Sequence, residues 1–184
     1  MLLLKYEKFG IISKDSFLEE LLFKYEKNIE HYQKFEKKGR SAISQIISCI
    51  DEYDEDQWRG RAIQNKECFE EINESYIELQ GACEKIQQLA LNQEYVYETF
   101  TKAMNQKLEG SENTNTLKEV YKLQKYIGNL HSELLEDIKN KKKVVQQTLP
   151  LLIFSDIGDP EENIMLLLDL WTYHNQQIVL SSKE

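Results

Sequence analysis

Two prolines and seven glycines in 184 residues are too few for a protein built on tight turns. Sheet proteins of this length use both residues freely at hairpins and bulges, so the scarcity points to long uninterrupted helices. Cysteine is sparse as well. Cys49, Cys68 and Cys83 are odd in number and share no ligand-like spacing, which argues against a disulfide framework and for a reducing, intracellular setting. Positive charge is in deficit, with 23 Lys and Arg against 32 Asp and Glu. Without a basic face, direct nucleic-acid binding is not expected. Long apolar runs are missing too. The opening MLLLKYEKFGII carries Lys5, Glu7 and Lys8, and its apolar run is too short for a secretory leader or a membrane span. A soluble chain with no membrane partner is expected.

Catalytic signatures are equally absent. No phosphate-binding glycine loop, dinucleotide fingerprint, nucleophile elbow or HExxH motif can be read. His31, His131 and His174 fall on different expected helices and read as exposed or seam-edge residues. Paired carboxylates such as Glu70 and Glu71 read as solvated helix faces. Neither a reaction, a cofactor nor a metal is expected.

What is present is a repeat of apolar residues at alternating steps of four and three. Leu18, Leu22, Tyr25, Ile29 and Tyr32 open it, Glu36 and Gly39 interrupt it, and Ile43, Ile46, Ile50 and Tyr53 resume it. A 3.5-residue period keeps one stripe turned toward a neighbouring helix. Ser16 and Glu19 form a capping-box pattern at its start, and Gly60 is the expected break. Gly39 at a seam position either weakens the helix or permits a close backbone approach.

A second helix, from about Arg61 to Glu109, carries Phe69, Ile72, Tyr76, Leu79, Cys83, Ile86 and Ala90 in the same rhythm. Gln93 interrupts, and Tyr97, Phe100 and Met104 resume. At 1.5 Å per residue such a helix is roughly 70 Å long, so it must lie against other long helices. GSENTNT, residues 110–116, reads as a linker, with Thr116 and Glu119 capping a third helix. That helix shows Val120, Leu123, Ile127, Leu130 and Leu134, then a shift by one to Ile138 and Val145. The shift resembles a stutter. The basic run KNKKK, Lys139 to Lys143, reads as solvated, and Pro150 closes the helix.

The chain ends in a different texture. TLPLLIFSDIGDPEENIMLLLDLW, Thr148 to Trp171, places two apolar runs around a polar turn. Asp159 suits an N-cap and Pro160 a first helical position. The run Ile164 to Leu168 makes the last helix apolar on more than one face. It either covers the end of the chain's own bundle or docks another subunit. The expected organisation is all-α, with long helices in a coiled-coil or elongated bundle and a short C-terminal helical hairpin. Its segments are residues 1–59, 60–110, 111–154 and 155–184. The expected contact residues are Phe69, Ile72, Tyr76, Leu79, Ile86, Tyr97 and Phe100 on the second helix. Leu152, Ile153, Ile164, Leu167, Leu168 and Trp171 are expected at the end.

Leu149, Leu151, Leu152, Ile153, Ser155, Ile157, Asp159, Pro160, Ile164, Leu166 and Leu167 resemble the end of the centromere protein H family. These are coiled-coil subunits of the inner kinetochore. The resemblance covers the last third of the chain. Gly158 stands in the turn where the family tends to carry Trp, and the first half matches only as generic coiled coil. The resemblance implies a nuclear, non-enzymatic structural subunit intertwined with a sister coiled-coil chain, a homo-oligomer being the alternative. The residues read by themselves also permit a self-contained three-helix bundle acting as a protein-binding adaptor.

Overall fold

The computed structural model describes residues 15–51, 66–110, 114–148, 168–169 and 171–172. Three long helices dominate, α1 (Ser16–Asp51), α2 (Lys66–Gly110) and α3 (Thr114–Lys143). A π-helical stretch, Val144–Thr148, continues α3. The described residues contain no strand, and the architecture is an all-α bundle. At 1.5 Å per residue α2 alone runs for roughly 67 Å. Among the described residues no helix is long and apolar enough to cross a membrane.

Cross-helix contacts fix the topology. Asp15 pairs with Lys107, Asn28 donates to Gln93 at 2.9 Å, and the Cys49 thiol meets Glu71. Each step up α1 is therefore matched by a step down α2, an antiparallel pair in constant register. Between α2 and α3, Asn105 meets Gln124, Glu94 meets His131, and the Tyr76 hydroxyl donates to the Val145 carbonyl at 3.1 Å. That pair is antiparallel too. The last contact also satisfies a carbonyl within the π-helical stretch, where the ordinary backbone ladder is altered.

The seams read from the sequence close on one another within this single chain. Leu18, Leu22 and Ile46 of α1, Leu79, Ile86 and Met104 of α2, and Leu123 and Ile127 of α3 belong to one buried cluster. Each such side chain contributes about 1.5–3 kcal/mol by leaving water. The rod that had to lie against other long helices lies against its own neighbours.

Helix starts differ from the expected ones. Asp15, rather than Ser16, caps α1: its Oδ1 accepts from the amides of Phe17 at 3.0 Å and Leu18 at 3.2 Å. A carboxylate satisfies those donors and the positive helix end together, and the Lys107 ammonium holds Asp15 below the usual carboxylate range. The linker is shorter than GSENTNT suggests. Gly110 still belongs to α2, and α3 already begins at Thr114. Gly60, Pro150 and Asp159 lie outside the described residues.

One layer between α2 and α3 is polar. The His131 ring stacks on Tyr97, centroids 4.1 Å apart and planes within 12°. Its Nε2 sits 3.1 Å from a Glu94 carboxylate oxygen. His131 is buried rather than at the exposed edge. Burial pushes its imidazole below the ordinary value and outweighs the pull of Glu94. A histidine depressed in the folded state binds its proton more readily when unfolded, so stability is lost as pH falls through the unfolded value near 6.5. His131→Phe keeps the stack and cannot titrate. Urea midpoints measured from about pH 7.5 down to about 5.5 should fall less steeply for the variant, and parallel curves would refute this account.

Candidate functional site

The positions where the apolar rhythm fails in α1 and α3 gather into one place. Glu36 and Gly39, the interruption in α1, face Asp137 and Lys141 of α3 and the C-terminal turn carrying Trp171. At the apparent stutter of α3 two registers are buried side by side: Ile138 and Val145 of the shifted one lie in the core, and the unshifted one does not stop. Leu130, Leu134, Asp137, Lys141 and Val144 continue the steps of four and three, and all are buried. Two of these seam positions are charged, so counting apolar residues passes over them.

Lys141 is 1% exposed and Asp137 fully buried. The Lys141 ammonium donates to Asp137 Oδ1 at 2.6 Å and Oδ2 at 2.8 Å, and to the Trp171 carbonyl at 2.7 Å. Its Nζ also stands 5.7 Å from the Tyr32 ring centre and 5.2 Å from that of Trp171, within reach of the negative ring faces. Burial pulls its pKa down, and the Asp137 carboxylate opposes that shift. Three acceptors match the three N–H bonds, which is the condition under which a buried ammonium is tolerable. Among KNKKK, Lys139, Lys142 and Lys143 are exposed while Lys141 turns inward, so the run is not a single basic surface.

Trp171 completes the cluster. Its indole N–H donates to the Glu36 backbone carbonyl at 3.1 Å. The buried Glu36 carboxylate accepts from Arg40 at 3.1 Å, giving two acids and two bases in one neighbourhood. Gly39 makes room for the indole. A Cβ there would overlap Trp171 Cζ2 and stand 2.8 Å from Cε2. Of the two readings of Gly39, close approach is the one observed.

The expected contact residues separate into groups. Ile72, Leu79, Ile86 and Phe100 are buried inside the bundle, and Tyr76 and Tyr97 are half-buried at its edge. All six lie against the chain's own helices. Trp171 is fully buried on α1 and α3, and Leu168 is partly buried beside the core. Leu152, Ile153, Ile164 and Leu167 lie outside the described residues, as does the side chain of Phe69. Glu36, Gly39, Asp137 and Lys141 were not among the expected site residues. Their only sequence signal is a gap in the heptads.

Gln93, the interruption in α2, is fully buried and accepts from Asn28. Tyr25 is buried beside it, and desolvation pushes its phenol well above the ordinary value. Cys49 and Cys83 are buried thiols, with Cys83 raised by burial. Among the described residues no group of three His, Cys, Asp or Glu side chains could hold a metal ion. No family model, curated protein or solved structure matches the chain.

Two measurements test the anchor. In an exposed helix interior, Gly→Ala stabilises by roughly 0.5–1 kcal/mol. Gly81→Ala should do so, because a Cβ there meets nothing within 4 Å. Gly39→Ala should instead cost about 1–3 kcal/mol through overpacking and red-shift Trp171 emission in a Trp58→Phe background. Equal effects of the two alanines in urea titrations would contradict the packing described. Separately, Lys141→Met should cost about 3–5 kcal/mol by removing the ammonium that offsets the buried Asp137 charge, and adding Asp137→Leu should restore most of it. A double variant as unstable as the single would mean the pair is not the coupled unit.

Proposed function

We propose that the chain is a non-enzymatic interaction module, a self-contained antiparallel three-helix bundle serving as a protein-binding adaptor. One observation carries this reading: the coiled-coil seams of α1, α2 and α3 are buried against each other with no second chain present. An obligate pairing subunit would leave half of such a seam in water, at the cost of large exposed apolar stripes. The buried ionisable groups also serve the fold. All three protons of Lys141 are accepted within the chain, which leaves none directed at a substrate.

The C-terminal resemblance to centromere protein H supplies a setting, a nuclear inner-kinetochore assembly, and it carries that setting alone. Under this proposal the module would join such an assembly through its outer faces, its seams being occupied.

Light scattering after size exclusion, over a wide concentration range, tests the proposal. The expected result is a monomer of 21.8 kDa with a cooperative thermal transition that does not move with concentration. A chain that is molten alone, or folds only as a dimer, would overturn the adaptor reading and favour the pairing subunit.

A further inference from the structure

The outer face of α2 differs from the rest of the bundle surface. Ile77, Leu91 and Tyr95 are 56%, 74% and 72% exposed. Their spacing puts them on one stripe, opposite the buried stripe of Leu79, Ile86 and Phe100. From Ile77 to Tyr95 this stripe covers roughly 27 Å, about five turns. Gly81 lies within it, and the space above that residue is open. Glu74, Glu84 and Glu98 are exposed along the same face. Among the described residues none of the three is held in a salt bridge. Lys85 is the single cation between Glu70 and Glu98.

On α1 the outer face neutralises itself. Lys24 bridges Glu20 and Lys27 bridges Glu30, each at 2.6 Å. Lys27 also lies over the Phe23 ring, and Lys38 over Phe35. The ammonium groups there stand over two of the phenylalanine rings, while Phe17 at the start of the helix stays open. Nothing equivalent covers Leu91 or Tyr95 among the described residues.

We propose that this face of α2 is a docking surface for a basic amphipathic helix from a partner protein. Its aliphatic stripe would lie on Ile77, Leu91 and Tyr95, and its Lys or Arg side chains would reach Glu84 and the flanking glutamates. A second copy of this chain is a poor occupant. Parallel pairing sets Glu84 against Glu84, antiparallel pairing sets Glu74 against Glu98, and each copy carries a net charge of −9. This inference rests on reading the chain as an adaptor and names the chemistry of what it binds.

The test titrates the isotopically labelled full chain with a synthetic leucine–lysine amphipathic peptide of about 20 residues, long enough to span the stripe. A twin carries Glu in place of Lys. The lysine peptide should shift amide resonances along the outer side of α2, and Leu91→Asp should weaken it by about tenfold or more. Glu84→Lys should lower affinity for the lysine peptide and raise it for the twin, a change that nonspecific stickiness does not produce. Both substituted positions are exposed, so thermal melts should match the parent and separate a binding defect from misfolding. Equal binding of both peptides, shifts on another face, or no shift would overturn the proposal. A monomeric chain that ignores the peptide defeats only this docking surface, whereas failure of the adaptor reading would appear in the mass measurement.

Discussion

A buried ammonium is tolerated only where every acceptor is in place together, and the bundle is organised around one. The Lys141 side chain takes Asp137 from its own helix, the Trp171 carbonyl from the C-terminal turn, and ring faces from Tyr32 and Trp171. Glu36 and Arg40 of α1 complete the charge environment. An isolated buried charge would cost several kcal/mol. Lifting the C-terminal turn would strip the Trp171 carbonyl from it, and sliding α3 along α1 by one turn would carry it away from the Tyr32 ring. An apolar seam alone cannot impose this, because leucine tolerates neighbours at many offsets while a three-donor group does not. The polar cluster thus gives the bundle its register, and the apolar seams give it stability.

The remaining polar layers follow the same logic at a lower cost. Asn28 donates an amide hydrogen bond to Gln93 across α1 and α2, and Glu94, Tyr97 and His131 tie α2 to α3. Each helix pair therefore has a contact that only one alignment satisfies. Such groups lower stability relative to a wholly apolar core. In return they exclude shifted pairings that heptad sequences otherwise permit.

This division explains what could be read from the sequence. The three long helices and their seams were legible because apolar periodicity reports which stripe leaves water. Whether the covering helix came from the same chain was not, since a 3.5-residue period specifies a neighbour without specifying its owner. The anchor was illegible for a related reason. Hydropathy registers Glu36, Gly39, Asp137 and Lys141 only as defects, although the first two were noted as interruptions. Lys141 was further hidden inside KNKKK, where one lysine turned inward looks like its solvated neighbours. Trp171 is among the expected contact residues, yet its seat depends on a missing side chain at Gly39, and an absence acquires meaning only once the indole lies above it. At Asp15 the error was smaller: two adjacent capping residues compete, and Lys107, distant in sequence, supports the carboxylate.

The same physics separates the surfaces from one another. On α1, Lys24 pairs with Glu20 and Lys27 with Glu30, so acid and base offset each other along that face. Alpha-helical surface pairs of this kind contribute only tenths of a kcal/mol each, so their main consequence is a face with low net attraction for anything else. On α2 the glutamates between residues 70 and 98 have one lysine among them, and their mutual repulsion is carried by a helix whose inner stripe is fully buried. The inner packing compensates for that repulsion, and a cationic partner would relieve it. Because the seams close within the chain and the polar layers fix one register, Ile77, Leu91 and Tyr95 are left together on one outward stripe of α2 over about five turns.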